Sequence, residues 1–213
     1  MTPLEAAAIV ETSATVASNF AHIGVRAGQT ILIHGGTGGI GAMAVPYAHQ
    51  LGLRVLTTVG SPAKMAIAEG YGADLAVDYH DDWPAAVMAA SGGAGVDAIL
   101  DIMGAKYLAS NLSVLARGGR LCVIGLQGGV RAEINLGLLL NKAATVTATS
   151  LRFRPLTEKA AIVSQLVSSV WPLFADGSLP LPQLTSFPLT QAADAQRHLA
   201  SGDNVGKVVL TVA

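Results

Sequence analysis

One hexapeptide constrains this chain more than any other feature. Gly36-Thr37-Gly38-Gly39-Ile40-Gly41 is a G-x-G-x-x-G. It follows a short apolar, β-branched run, Thr30-Ile31-Leu32-Ile33-His34, and leads into a segment of helical character over residues 39–51, closed by Gly52. In a chain with 24 glycines the spacing alone is weak evidence. Between a strand and a helix, however, the glycines have a physical role, because they let the backbone turn sharply and come close to a diphosphate. The N–H groups of Gly38, Gly39 and Ile40 are expected to face that anion, together with the positive end of the helix.

The remaining sequence keeps the same alternation. Strands are expected at residues 54–58, 75–77, 96–100, 120–124 and 145–149, and helices at 61–69, 83–90 and 106–115. Ser61 caps the first of these helices, Pro62 occupies its first turn and Gly70 closes it. Gly118-Gly119 is expected to stop the third. Strands that alternate with helices build an α/β doubly wound parallel sheet with helices on both faces, and six strands complete a Rossmann dinucleotide-binding domain. This gives a helical lead-in over residues 1–25, the Rossmann domain over 26–178 and a C-terminal segment over 179–213. Residues 157–174 read as one long helix. The tail carries Pro180, Pro182 and Pro188, then a short helix (192–200) and a strand (207–212).

Composition removes several function classes. Thirteen Lys and Arg against 14 Asp and Glu leave a net charge of −1, so no basic surplus favours nucleic acid or an anionic membrane. With 51% hydrophobic and only 13% charged residues the chain is not disordered. No apolar run approaches the ~18 residues of a membrane span. The first residues carry Glu5 and Glu11 and no Lys or Arg before Arg26, unlike a signal peptide. The single cysteine, Cys122, permits no internal disulfide or cysteine-based zinc site. A cytoplasmic protein without a metal site is expected.

Cofactor choice turns on the second strand. An NAD-selective site has an Asp or Glu about 20 residues beyond the glycine motif, on the ribose 2′-hydroxyl. Here the window reads Thr57-Thr58-Val59-Gly60-Ser61, without an acid, and Lys64 follows. A carboxylate would repel a 2′-phosphate, whereas Ser61 and Lys64 can bind one, which points to NADPH. His34, alone beside the loop, reads as structural, and Cys122 as a small buried apolar residue. His22, His49, His80 and His198 show no metal-ligand spacing and read as surface residues. Asp101 and Tyr107, near a strand end, fit the border of a cofactor crevice, and equally helix capping and packing. No G-x-S-x-G is present, which removes the α/β-hydrolases. No catalytic residue is assigned.

Several short motifs share an order and spacing with one family. They are Ala6-Ala7-Ala8 through Glu11-Thr12, ILIHGGTGGIG, Gly72-Ala73-Asp74 with Asp78-Tyr79, and Gly95-Val96-Asp97 through Asp101. Arg117-Gly118-Gly119-Arg120, Ile124-Gly125, Ser150-Leu151-Arg152 and Gly206-Lys207-Val208-Val209-Leu210 continue the series. Over nearly its whole length the chain resembles the cofactor-binding part of the quinone oxidoreductases, in the zinc-independent branch of the medium-chain dehydrogenase/reductase superfamily. The resemblance implies that Lys64 and Tyr79 hold the 2′-phosphate and the loop glycines the diphosphate. It implies that Thr15, Ile102, Gly125, Leu126, Leu151 and Arg152 line the nicotinamide end. Asn204 and Lys207 match a segment that folds back over the cofactor.

The implied reaction is hydride transfer from NADPH to a quinone or another conjugated carbonyl. Two alternatives share the domain: an enoyl-thioester reductase and an NADPH-binding module without turnover. The family's N-terminal barrel-like substrate domain is not in the sequence, so the resemblance implies a part of a larger unit, weakly active alone, whose tail from about Leu181 packs into that domain. The sixth strand, rich in Thr and Val and free of charge and proline, is expected at a sheet edge. In the family this edge pairs with its two-fold mate, implying a homodimer.

Overall fold

The computed structural model describes residues 1–212 and contains a six-stranded, wholly parallel sheet. The strands are β1 (Thr30–His34), β2 (Arg54–Val59), β3 (Leu75–Asp78), β4 (Val96–Asp101), β5 (Leu115–Val123) and β6 (Thr145–Ala148), in the spatial order β3-β2-β1-β4-β5-β6. The order reverses between β1 and β4, where a crevice opens beyond the strand ends.

Strand periodicity explains the two-sided core. In β1, Ile31 and Ile33 enter one apolar cluster and Leu32 the other; in β2, Val55 and Val59 face the first and Leu56 the second. The first cluster is roofed by α1 (Pro3–Ile23) and α2 (Gly41–Gln50), and by Leu166 and Val170 of a π-helical turn. The second is covered through Trp83 and Val87 of α4 (Trp83–Ala90) and Leu112 and Val114 of α5 (Leu108–Val114). Both faces are thus buried, the normal state of parallel strands. The third helix, α3 (Pro62–Gly70), starts as expected: the Ser61 hydroxyl accepts from the Lys64 N–H and Pro62 occupies the first turn.

Three local expectations need correction. Gly118-Gly119 does not stop a helix; α5 ends at Val114, and β5 starts at Leu115 and runs through both glycines. A 3-10 turn, Gly104–Tyr107, replaces the beginning of the expected helix 106–115. The long helix 157–174 is divided into α7 (Leu156–Gln165), the π-helical turn Leu166–Val170 and α8 (Trp171–Ala175). Pro172 is responsible in part, since a proline has no N–H to continue the helical ladder. Two elements had no sequence signal: α6 (Leu136–Lys142) and β7 (Leu184–Pro188).

In the tail, β7 pairs in parallel with β8 (Lys207–Thr211), and α9 (Ala192–Ala200) connects them. The turn before β8 is tied to the glycine loop, because the Gly206 N–H donates to Thr37 O at 2.8 Å. The C-terminal segment therefore reaches the crevice at the sheet's switch point.

Candidate functional site

The glycine loop is held by close contact with β2. The Gly35 and Gly36 N–H groups both donate to Thr58 O at 3.0 Å. A side chain at Gly36 would place Cβ 2.2 Å from Thr57 Oγ1, and one at Gly41 would place it 2.1 Å from Gly35 O. No side chain fits at either position. α2 begins with no side-chain cap. Among the described residues the Gly39 and Ile40 N–H groups have no protein acceptor, so they are available to an anion. Gly38 departs from expectation: its N–H donates to Gly35 O at 3.1 Å and closes the turn.

A cleft of about 380 Å³ opens beside the loop. At its outer end lie Gly60, Lys64 and Tyr79, with Gly202, Asn204 and Lys207 of the C-terminal segment. Tyr79 crosses over Gly60: its hydroxyl would be 2.7 Å from a Cβ there. The Lys64 ammonium donates to Gly202 O and to Asn204 O, the latter at 3.2 Å. The Lys207 side chain lies along Gly39, 3.1 Å at Cδ and 3.6 Å at Nζ from where a Cβ would stand. Among the described residues neither ammonium has a carboxylate within 4.0 Å. Two unneutralised cations and an open helix N-terminus make this cleft a receptor for a ligand with more than one anionic group.

A second cavity of about 270 Å³ adjoins it, with Ile40, Ile102, Gln127 and Glu11 lining both. It also contains Thr15, Asn19, Gly125, Thr149, Leu151 and Arg152. Buried polar groups set its floor. Asn19 Nδ2 donates to Thr15 O at 2.7 Å, and Asn19 Oδ1 accepts from Thr149 Oγ1 and from Cys122 Sγ, the thiol at 3.3 Å. Burial pushes the Cys122 thiol up to about 11, so it stays protonated and serves as a donor. The Thr15 hydroxyl donates to Glu11 Oε1 at 3.0 Å. Beneath Ile102, the buried Asp101 carboxylate accepts from the Met103 N–H at 2.7 Å and the Gly104 N–H at 2.9 Å. Its pKa is raised by burial, against those two bonds. Asp101 thus caps the turn carrying Ile102, and Tyr107 is packed in the core beside His34 and Trp83.

Most sequence-selected residues converge here. Thr37, Gly38, Gly39, Ile40, Gly60, Lys64, Tyr79, Ile102, Asn204 and Lys207 line the first cleft, and Thr15, Gly125, Leu151 and Arg152 the second. Gly36 and Gly41 act from behind, by allowing close packing. Ser61 does not line the cleft; its hydroxyl is used as the cap of α3. Leu126 also lies outside it, largely exposed and packed against Gly104. Sequence reasoning gave no site role to Glu11, Asn19 and Gln127: Glu11 stood only as part of a family motif, Asn19 and Gln127 belong to no local motif, and all three enter through the tertiary fold.

A family model described as zinc-binding dehydrogenase matches residues 39–168. The chain belongs to that family. For this dehydrogenase domain the resemblance to the medium-chain dehydrogenase/reductase superfamily is borne out. Despite the family's description, no group of three or more His, Cys, Asp or Glu is gathered for a metal among the described residues, so the donor set does not fit zinc. The Escherichia coli quinone oxidoreductase in complex with NADPH superposes with a TM-score of 0.87 at 26% identity, covering 99% of this chain and 65% of that one. The CurK enoyl reductase gives a TM-score of 0.85 at 25% identity over 100% of this chain and 64% of that one. Among curated relatives, a phenolphthiocerol/phthiocerol polyketide synthase of Mycobacterium tuberculosis is 34% identical over 187 residues, 87% of this chain. The chain spans only 8% of that synthase's length. No helix of the described residues is long and apolar enough to cross a membrane.

Proposed function

We propose that this domain binds NADPH along the two joined cavities and serves as the cofactor half of a reductase that acts on quinones or other conjugated carbonyls. One observation carries the reading. Among the described residues Lys64 and Lys207 line one cleft without a carboxylate within 4.0 Å, and an uncapped helix start lies beside the same cleft. That charge pattern matches a diphosphate and a 2′-phosphate together. In this reading the loop glycines, with the Gly39 and Ile40 N–H groups, hold the diphosphate. Lys64 and Tyr79 hold the 2′-phosphate. Asn204 and Lys207 close over the ribose side. Thr15, Ile102, Gly125, Leu151 and Arg152 enclose the nicotinamide.

When bound, NADPH supplies a hydride. The chain's own residues orient the ring and keep water from it, with Asn19 fixing the Thr15 and Thr149 walls. No side chain is assigned the proton, because the oxygen anion of a reduced quinone takes it from water. The division into residues 1–25, 26–178 and 179–213, a cytoplasmic setting and a homodimer through β6 belong to the same proposal. The edge of β6 supports the last point: it pairs with β5 on one side only and carries no charge.

A second reading, an enoyl-thioester reductase, is favoured by the polyketide synthase relatives and the enoyl reductase neighbour. Competitive titration tests the cleft assignment: 2′-AMP should displace NADPH, and a chain indifferent to 2′-AMP contradicts it. Oxidation of NADPH with 1,4-benzoquinone and with a crotonyl thioester separates the two readings. Faster turnover of the quinone is expected, and turnover of the thioester alone would replace the first reading with the second.

A further inference from the structure

His34 ends β1 one residue before the glycine loop, and the proposed cofactor contacts do not use it. It is 1% exposed. Its ring is boxed by Trp83 and Tyr107, each edge-on with centroids 4.9 Å away. Both nitrogens are bonded: Nδ1 lies 2.9 Å from Thr58 Oγ1, and Nε2 lies 2.7 Å from Asn111 Oδ1. Facing a carbonyl oxygen, Nε2 must carry a proton. A neutral ring then leaves Nδ1 bare, to accept the Thr58 hydroxyl proton. The hydroxyl oxygen is left to accept, and the Gly35 N–H points at it from 3.4 Å while also donating to Thr58 O. The result is one directional chain from the loop to the core: Gly35 N–H to Thr58 Oγ1, Thr58 O–H to His34 Nδ1, His34 Nε2–H to Asn111 Oδ1. Each bond polarises the next in a dry environment.

We propose that His34 is a positioning residue for the diphosphate. Through the Thr58 hydroxyl it fixes the direction of Gly35 at the head of the loop, and so aims the free N–H groups of Gly39 and Ile40. The proposal rests on the NADPH reading. The geometry argues for a role beyond packing, because a buried imidazole could be replaced at this site by an apolar ring filling the same Trp83–Tyr107 box. The polar ring is instead wired to the residue that grips the loop. Gly35 itself has φ +77°. A glycine takes up that conformation and its mirror image about equally readily, so the direction of the loop must come from its hydrogen bonds.

The test uses three ligands. NADPH carries both anionic groups, ADP-ribose only the diphosphate, and 2′-AMP only the 2′-phosphate. Thr58→Val keeps the side-chain volume and the Thr58 carbonyl but deletes the hydroxyl; Thr58→Ser restores it. Thr58→Val is expected to bind NADPH and ADP-ribose about ten-fold more weakly, the scale of one lost buried hydrogen bond. Its affinity for 2′-AMP should stay within about two-fold, and Thr58→Ser should recover the rest. Nitrogen-15 shifts of His34 in the unmodified chain, which need no variant to fold, should report a neutral ring with the proton fixed on Nε2. Unchanged ADP-ribose binding by Thr58→Val, an equal loss for all three ligands, or a His34 ring that exchanges between tautomers would overturn the positioning role alone. An unmodified chain that bound none of the three ligands would instead refute the NADPH reading, and the role with it.

Discussion

At the residue scale, the glycines of the loop differ in what they do, and substitution should expose the difference. Gly41→Ala drives a Cβ to 2.1 Å from Gly35 O, a backbone atom that cannot swing away. Overpacking of this kind costs about 1–3 kcal/mol. Thermal melts should show that loss, with NADPH binding abolished, because the diphosphate turn is displaced. Gly38→Ala meets only Gly35 O at 3.6 Å and should remain folded; comparable destabilisation of the two variants would contradict the packing picture. His34 gives a pH prediction. Burial lowers its pKa from 6.5 to about 4. Between those values the unfolded chain takes up a proton that the folded chain refuses, so stability falls as pH drops from about 6.5 to about 4 and is unaffected by this group below that. The full loss is about 3 kcal/mol. Asp101, raised by burial, protonates first in the folded state and works in the opposite direction. Urea unfolding at pH 7 and pH 4.5 should show a smaller acid loss in His34→Gln than in the unmodified chain. An equal loss in both would remove His34 as its cause.

At the scale of elements, legibility followed the number of local signals each segment carries. Strand β1, the loop and α2 were readable because an apolar β-branched run, a glycine spacing and a helical segment adjoin one another. The start of α3 was readable from Ser61 and Pro62. Helix α6 was hidden: its seven residues include Gly137, and it is stabilised by packing of Leu138 and Leu139 on the second core cluster. Strand β7 ends in a proline and exists only because β8, far along the chain, pairs with it. The helix break at Leu166–Val170 has a tertiary cause beside the local one from Pro172. Leu166 and Val170 are fully buried in the first cluster, and the wider turn brings both onto the α1 side. Leu166→Ala should therefore cost about 2–5 kcal/mol in chemical denaturation, with NADPH affinity little changed. A loss under about 1 kcal/mol would mean that the segment is not part of the core. In the cleft, the glycine-loop and phosphate-end residues were legible, Asn19 and Gln127 were not, and Glu11 was visible only as part of a motif without a role. Ser61 was read both as the cap of α3 and as a phosphate contact, and its hydroxyl is used as the cap.

At the scale of the whole molecule, β6 leaves one edge of the sheet unpaired, with Val146 and Thr147 half-buried and Thr145 and Ala148 exposed. If two copies join there, light scattering at micromolar concentration should report a dimer that Val146→Pro dissociates, because proline removes a ladder donor and distorts the edge. A monomer, or a dimer insensitive to that substitution, would assign the edge to something else. The tail joins the same larger picture. By tying Gly206 to Thr37 and offering two carbonyls to Lys64, it makes the outer end of the cleft from residues far apart in sequence. On the proposed reading, this cleft holds a 2′-phosphorylated dinucleotide. That reading is tested most directly by titrating the chain with NADPH and with NADH, before and after Lys64→Ala. NADPH should bind more tightly by about ten- to a hundred-fold, the scale of one charge-assisted hydrogen bond, and Lys64→Ala should erase that preference while leaving NADH affinity nearly unchanged. Equal affinities in the unmodified chain, or an NADPH preference that survives the loss of Lys64, would contradict it.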